Sequence, residues 1–370
     1  MSVRRTWLSL PIYREVRIYG PGGRGGGLAS DACGGVVQPP VEPMLTAAVE
    51  VLPPSCPGGC VFEPKWDGWR ALLFVLPRRV IVQSRTGKLL SVFFPDVTRA
   101  ALGFVPAGTV VDGELVIWDE ARSRTSFSLL HRRLTAGRAM PVEAAAHPAH
   151  LVCFDILELA GQVVMAEPLA RRRALLAGLL AEAPAVLPLC PQTTDPAQAM
   201  VWLREWAPAG VEGLVIKGLA TPYQPGRRAW AKLRARSTTE AIVGGVTGTL
   251  SRPEAVLLGR LDDSGRLRYV GRSAPLVDYQ RRDLAAALVA ARRGRNGDVD
   301  HPWPMPLPPA WSGQLGRPTA LVYQQVAPTV VAEVQADTAY EYGRWRHQPR
   351  FIRLRPELSV HDVPPHTDLT

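Results

Sequence analysis

From Cys60 onward the chain carries short apolar, β-branched runs separated by turn residues: CVFEPKW, RALLFVL, RVIVQS, TVVDGELVIW, HLVCFDIL and GLVIK. Each is bounded by Gly, Pro or charged residues, and runs of this length and composition predict strands. Between them, PLARRRALLAGLLAEA and DPAQAMVWLREWAPAG repeat Leu and Ala at three- and four-residue steps behind Pro or Asp, which predicts helices. The mixture predicts an α+β domain. After AKLRARSTTEAIVGG the pattern changes to short strands with tight turns, as in AVLLGRLDDSGRLRYVGRSA, where DDSG marks a hairpin. That stretch predicts a small β-barrel, with a helix from PLVDYQRRDLAAALVAARRG placed before a proline-rich loop, HPWPMPLPPAW.

The expected organisation is a disordered Gly-rich extension over residues 1–36, a first domain over 37–236, a second over 237–358 and a tail over 359–370. A length of 370 residues with 46% hydrophobic content supports a core in each domain. No repeat at a solenoid period is visible. The formal charge of +10, from 43 Lys and Arg against 33 Asp and Glu, favours an anionic partner such as nucleic acid. No apolar run is long enough to cross a bilayer and the N-terminus lacks the order of a secretory signal, so a cytoplasmic protein with no membrane partner is expected. Five scattered cysteines, an odd number, argue against a disulfide framework. Cys56 and Cys60 read as two thiols in a Pro/Gly loop, because no second Cys or His pair stands at metal-ligand spacing.

The candidate chemistry begins at EPKWDGWR, Glu63 to Arg70. This segment resembles the Lys-x-Asp-Gly nucleophile motif of the covalent nucleotidyltransferases, which include DNA ligases, RNA ligases and mRNA capping enzymes. A lone KxDG carries little weight. Here VQSRTGK, VDGELVIWD, VCFDIL, VEGLVIK, WAKLR and PRFIRLRPE follow in the family's order, so the resemblance spans roughly residues 38–358. The connecting text FSLLHRRL and EGLVIKGLATPYQPGRR resembles the bacterial ATP-dependent DNA ligases of the ligase C and ligase D type. The resemblance implies a nucleotidyltransferase domain with ATP-grasp-like antiparallel sheets, followed by an OB-fold β-barrel.

It also implies an ATP-dependent DNA ligase that forms a covalent lysyl-AMP. A free lysine amine, with a pKa near roughly 10.4, is a poor nucleophile at neutral pH, so neighbouring cations and a metal must favour its neutral form. By resemblance Lys65 is the nucleophile, Asp67 the carboxylate beside it, and Arg70 a contact to AMP and the nick phosphate. Glu63 receives the adenine amino group, a choice that rejects guanine because guanine carries a carbonyl there. Phe154 stacks on adenine; Lys217, Lys232 and Arg234 bring charge to the phosphates. Glu114 holds the ribose or a metal, and Glu212 a metal, with Mg²⁺ or Mn²⁺ suited to such oxygen ligands. Trp66 and Trp69 exclude water from the nucleophile. Arg85 contacts AMP and the strand beside the nick, Arg272 lines the duplex minor groove, and Arg353 and Arg355 orient the pyrophosphate. Glu357 and Leu358 stand where the family's last motif has Asp and Lys.

The implied partner is nicked double-stranded DNA, handled by a monomer in repair and recombination near the nucleoid, with possible repair proteins. NAD-dependent relatives carry an upstream domain and downstream zinc and helical modules, for which no cysteine pattern exists here, so ATP is the expected donor. Two other readings stay open at this point: an RNA ligase or capping-type enzyme, and a non-catalytic nucleic-acid-binding relative. Arg132 and Arg133 read as surface or helix-terminal charges, and His131 and His301 have no assigned role.

Overall fold

The computed structural model describes residues 36–292, 300–312, 320–337 and 340–366. The expected extension over residues 1–36 therefore lies, save Val36, outside the described residues. The chain divides into two compact units, Met1–Ala235 and Arg236–Thr370.

The first unit runs β1 (Leu45–Val49), β2 (Cys60–Trp66), β3 (Trp69–Leu76), β4 (Arg79–Ser84), α1 (Pro95–Phe104), β5 (Thr109–Asp119), β6 (Arg124–Thr125) and α2 (Phe127–Thr135). It continues through α3 (Met140–Ala146), β7 (Ala149–Leu159), β8 (Gln162–Val163), α4 (Leu169–Leu179), α5 (Pro196–Glu205), β9 (Val211–Gly218) and β10 (Arg228–Arg234). Two sheets result. One has the order β1-β10-β9-β2, antiparallel except that β1 runs parallel to β10. The other has the order β4-β3-β5-β7-β8, with β6 added to β5.

Alternation along β3 shows how the sheets are covered, since successive side chains leave a strand on opposite faces. Ala71, Leu73 and Val75 enter a core with Val97 and Ala101 of α1, Leu129 and Leu130 of α2 and Leu176 of α4. Leu72 and Phe74 enter a second cluster with Val110, Val116, Val152 and Trp230, which continues to Phe62, Leu214 and Ile216 on the other face of the four-stranded sheet with Trp202 of α5. Chemistry is thus confined to the polar positions left on the facing sides of the two sheets.

Two sequence expectations need correction in this unit. Arg133 is not a surface charge: its side chain is 1% exposed and donates to the Phe93 and His147 carbonyls at 3.0 and 2.7 Å and to Asp96 Oδ2 at 2.7 Å. The residue ends a helix turn on its core-facing side, so the guanidinium stitches α2 to the segments around it. Arg132, exposed, pairs with Glu143. Cys56 and Cys60 are bonded to each other. An odd, scattered set of cysteines disfavours distant bridges, but Gly58 and Gly59, both at positive φ, fold CPGGC into a turn that brings its own ends together.

The second unit is an antiparallel sheet of β11 (Arg236–Thr249), β12 (Arg252–Leu261), β13 (Leu267–Arg272), β14 (Gln324–Asp337) and β17 (Arg350–Leu354), in the order β13-β12-β11-β14-β17. A short hairpin, β15 (Tyr340–Glu341) and β16 (Arg344–Trp345), and α6 (Asp278–Ala287) complete it. Both faces are covered. Val243, Val256, Val270 and Phe351 pack with Leu284 of α6, while Ile242, Leu257 and Val331 pack with Trp303, Leu307 and Val363. The proline-rich segment read as a loop is therefore part of the core. Trp303 is 1% exposed and donates its indole N–H to the Leu267 carbonyl at 2.8 Å. A Cβ on Gly244 or Gly259 would come within 2.4 or 2.7 Å of that ring, so both glycines make room for it. Beyond β17 the chain remains packed, with Val363 and His366 buried.

Candidate active site

The strand registers of the four-stranded sheet gather one set of polar side chains. Lys65 lies opposite Gly213, Glu63 opposite Val215 and Val61 opposite Lys217; on the far side of β9, Lys232 lies opposite Val215 and Arg234 opposite Gly213. Paired residues share a face. Glu63, Lys65, Lys217, Lys232 and Arg234 therefore project from the same side. Gly213 at the centre has no alternative, since a Cβ there would sit 2.1 Å from the Leu233 carbonyl oxygen. Simple alternation would send Glu212 to the other face. A register shift between Lys65 and Trp66 leaves Glu212 unopposed on β9, and its carboxylate forms an ion pair with Lys65 Nζ.

The six-stranded sheet supplies the opposite wall. Arg70 pairs in register with Glu114, and Leu72 with Asp112, so Arg70, Asp112 and Glu114 share a face. On β7 the register skips Phe154, because Asp112 faces Asp155 and Gly113 faces Cys153. The bulged Phe154 reaches Trp230 of the other sheet edge-on, at a centroid separation of 6.1 Å. Lys217 Nζ lies 4.6 Å and Arg70 Cζ 5.2 Å from the Phe154 centroid. The two sheets thus bring Glu63, Lys65, Arg70, Glu114, Phe154, Glu212 and Lys217 into one cleft, with Lys232 and Arg234 on the same face of the first sheet. Asp67 is buried beside them, its N–H donating to the Gly210 carbonyl at 3.3 Å.

Trp69 is not at the nucleophile. One residue before Arg70 on a strand, it leaves on the other face and packs edge-on against Phe94 and Phe127 at 6.3 and 5.8 Å. Trp66 is buried in the second core. Arg85 is exposed in the turn after β4 and has no side-chain partner among the described residues. Arg272, Arg353 and Arg355 belong to the second unit. There Arg353 Nε donates to Glu333 at 2.8 Å, and Arg355 donates to Glu240 at 2.8 Å and to Glu357 at 2.5 Å. Glu357, one of the two residues that depart from the expected last motif, holds Arg355.

Three residues of the cleft were not singled out in the sequence. Asp112 takes Arg70 in a two-pronged ion pair, at 2.9 Å from Nε and 2.6 Å from Nη2. Tyr223 donates its hydroxyl to the same carboxylate at 2.6 Å and accepts from the Met44 N–H at 3.0 Å. Trp230 places its ring 4.9 Å from Arg70 Cζ and 4.2 Å from Lys217 Nζ. Asp112 and Trp230 had a readable signal, since each stands two residues before a chosen residue on the same strand. Tyr223, in a loop, had none.

Electrostatics in the cleft are strongly coupled. Burial works against the charge on Arg70, but Asp112 more than offsets it and raises the guanidinium above its ordinary value. Glu114 is pushed up to about 7, first by burial, with Glu212 and Asp112 adding to the rise and Lys65 and Arg70 opposing it. Lys232 is lowered by burial and then by Arg234, Lys65 and Arg228. Such a crowd of cations suits a polyphosphate.

The Glu114 shift fixes the sign of a pH effect. A carboxyl with a folded pKa above its unfolded one binds more protons in the native state, so its contribution favours folding at low pH and is lost as pH rises through about 7. Metal-free Glu114→Gln protein is therefore expected to gain melting temperature relative to wild type as pH is raised from about 5 to about 8. A difference that stays flat across that range contradicts the shift.

No group of three or more His, Cys, Asp and Glu side chains able to hold a metal occurs among the described residues. Glu114 and Glu212 nevertheless fit a hard divalent cation that takes one or two carboxylates and fills its remaining positions with water and phosphate oxygens. Burial first, and then Glu212 and Asp112, work against the charge on Glu114, and such an ion would favour that charge.

A family model described as the ATP dependent DNA ligase domain matches residues 43–234. DNA ligase C2 of Mycolicibacterium smegmatis is 33% identical over 353 residues, covering 90% of this chain and 97% of that protein. The multifunctional non-homologous end joining DNA repair protein LigD of Mycobacterium tuberculosis is 30% identical over 310 residues, covering 82% of this chain and 37% of that longer protein. Among solved structures, Pmar-Lig_PreS3 shares the fold over 85% of this chain and 68% of its own, with a TM-score of 0.52 and 18% identity.

Proposed function

The chain belongs to the ATP-dependent DNA ligase family, and on that premise we propose that the cleft of its first unit is the adenylylation site, with Lys65 as the nucleophile. As a DNA ligase of this family it works through a lysyl-AMP intermediate. The observation that carries the assignment is the placing of Lys65 Nζ against Glu212, on a sheet face that also bears Lys217, Lys232 and Arg234.

In the proposed first step Lys65 Nζ gives up a proton and bonds to the α-phosphorus of ATP, while the α–β phosphoanhydride bond breaks and pyrophosphate leaves. AMP then passes to the 5′-phosphate of a nick, and the adjacent 3′-hydroxyl displaces it. Lys217, Lys232 and Arg234 stabilise charge on the phosphates. Arg70, clamped by Asp112, addresses AMP and the nick phosphate from a fixed position. Glu63 accepts from the adenine amino group, and Phe154 offers it an aromatic wall. A divalent cation held by Glu114 and Glu212, Mg²⁺ or Mn²⁺, would supply charge neutralisation at the phosphates. The second unit is an OB-type module in this reading; Arg353 and Arg355 act on the pyrophosphate, and Arg85 and Arg272 contact the DNA backbone without reading sequence.

The substrate is a nick in duplex DNA and the setting is repair, served by a monomer. No helix among the described residues is long and apolar enough to cross a membrane. Matched nicked DNA, nicked RNA and hybrid duplexes, each with ATP and Mg²⁺ or Mn²⁺, test the substrate. Joining of the DNA nick is expected to be fastest; joining of RNA alone would overturn the reading.

A further inference from the structure

We propose that Gln192 is a specificity-determining residue that reads the adenine ring of ATP side by side with Glu63. The inference rests on the reading of Glu63 given above and extends it to a residue outside the sequence motifs.

Glu63 is 2% exposed and both of its carboxylate oxygens are engaged. Oε2 meets Lys217 Nζ at 2.6 Å, and Oε1 accepts from Gln192 Nε2 at 3.0 Å. The segment that carries Gln192 is stitched to both walls of the cleft. Cys190 N–H donates to the Cys153 carbonyl at 2.8 Å, next to Phe154. Thr193 and Phe62 exchange two backbone bonds, at 2.8 and 3.0 Å, next to Glu63. The Gln192 amide is thereby held between the strand bearing the carboxylate and the strand bearing the aromatic wall.

Base chemistry explains what the amide adds. A carboxylate only accepts, so Glu63 can take the 6-amino group of adenine but offers nothing to the ring nitrogen beside it, which is also an acceptor. A glutamine amide has two N–H donors and a carbonyl. One N–H is committed to Glu63; the other can donate to the ring nitrogen while Glu63 takes an amino hydrogen, so that carboxylate and amide meet adjacent positions of adenine. A 6-oxo purine turns a carbonyl toward Glu63 and a ring N–H toward the Gln192 N–H, so acceptor meets acceptor and donor meets donor. Lys217, a pure donor, would favour that wrong base if it faced it. Glu63 holds its ammonium instead.

The test is single-turnover formation of the protein–AMP or protein–IMP adduct from ATP or inosine triphosphate, with melting temperature as a folding control. Gln192→Met keeps length and removes both amide functions. It is expected to raise the half-saturating ATP concentration about tenfold with the maximal rate unchanged, and to lower the preference for ATP over inosine triphosphate by about the same factor. If that variant folds poorly, Gln192→Glu loses the same donor and is expected to show at least the same loss of preference. Glu63→Gln runs alongside. If it shifts the preference while the Gln192 variants do not, the inference is overturned and the reading of Glu63 stands. If no variant shifts it, both fall.

Discussion

Lys65→Ala is expected to abolish nick sealing from ATP, by at least about four orders of magnitude, while still joining a nick whose 5′-phosphate already carries AMP. The first half follows because no other amine can take over. Lys232, on the same face, stands two strands away, about 9–10 Å across the sheet. Lys217 is buried, with its ammonium ion-paired to Glu63. The second half follows because the nucleophile is needed only to load AMP, and the groups that bind the nick are untouched. Sealing of both substrates by matched amounts of the variant measures this; retained ATP-dependent sealing would place the nucleophile elsewhere.

The second large effect is expected at Asp112. Arg70 and Asp112 form a two-pronged pair in which the carboxylate is fully buried and the guanidinium nearly so. Removing one partner of such a pair leaves the other charged and unsatisfied, which typically costs about 3–5 kcal/mol. Asp112→Ala should therefore lower unfolding stability by about that amount and, by freeing Arg70 and Tyr223 to move, stop lysyl-AMP formation. The double variant Asp112→Leu with Arg70→Met separates the two effects. Stability should return, because no buried charge is left, and activity should not. Denaturant midpoints and adduct yields read the pair; an Asp112→Ala protein as stable as wild type contradicts the account.

Much of the first unit was legible because its motifs sit on strands bounded by turn residues. The family's residue order located Lys65, Glu63, Glu114 and Lys217 on strands, and the observed registers bring their side chains together. Period-two reasoning alone would have misplaced Glu212 and Phe154, since each occupies a β-bulge that reverses the expected face. The same reasoning, applied to neighbours, would have found Asp112 and Trp230 and would have turned Trp69 away from the nucleophile.

What stayed hidden depends on contacts between distant segments. Tyr223 reaches Asp112 across 111 positions of sequence, and Gln192 reaches Glu63 across 129. Neither loop has a period from which an orientation could be read. Trp303 lies in a proline-rich run whose composition says loop, while its large apolar ring fills space left by Gly244 and Gly259 on strands far earlier in the chain. Arg133 is a helix-terminal charge, as the sequence reads, but a buried one held by Asp96 and two carbonyls. In each case the sequence names the residue type but not its partner.

Intact-mass spectrometry after incubation with ATP and a divalent metal, followed by peptide mapping, tests the central assignment most directly. A mass gain of one AMP is expected, confined to the peptide containing Lys65 and released when pyrophosphate is added back. An adduct on any other side chain, or none at all from protein that seals nicks with ATP, would contradict it.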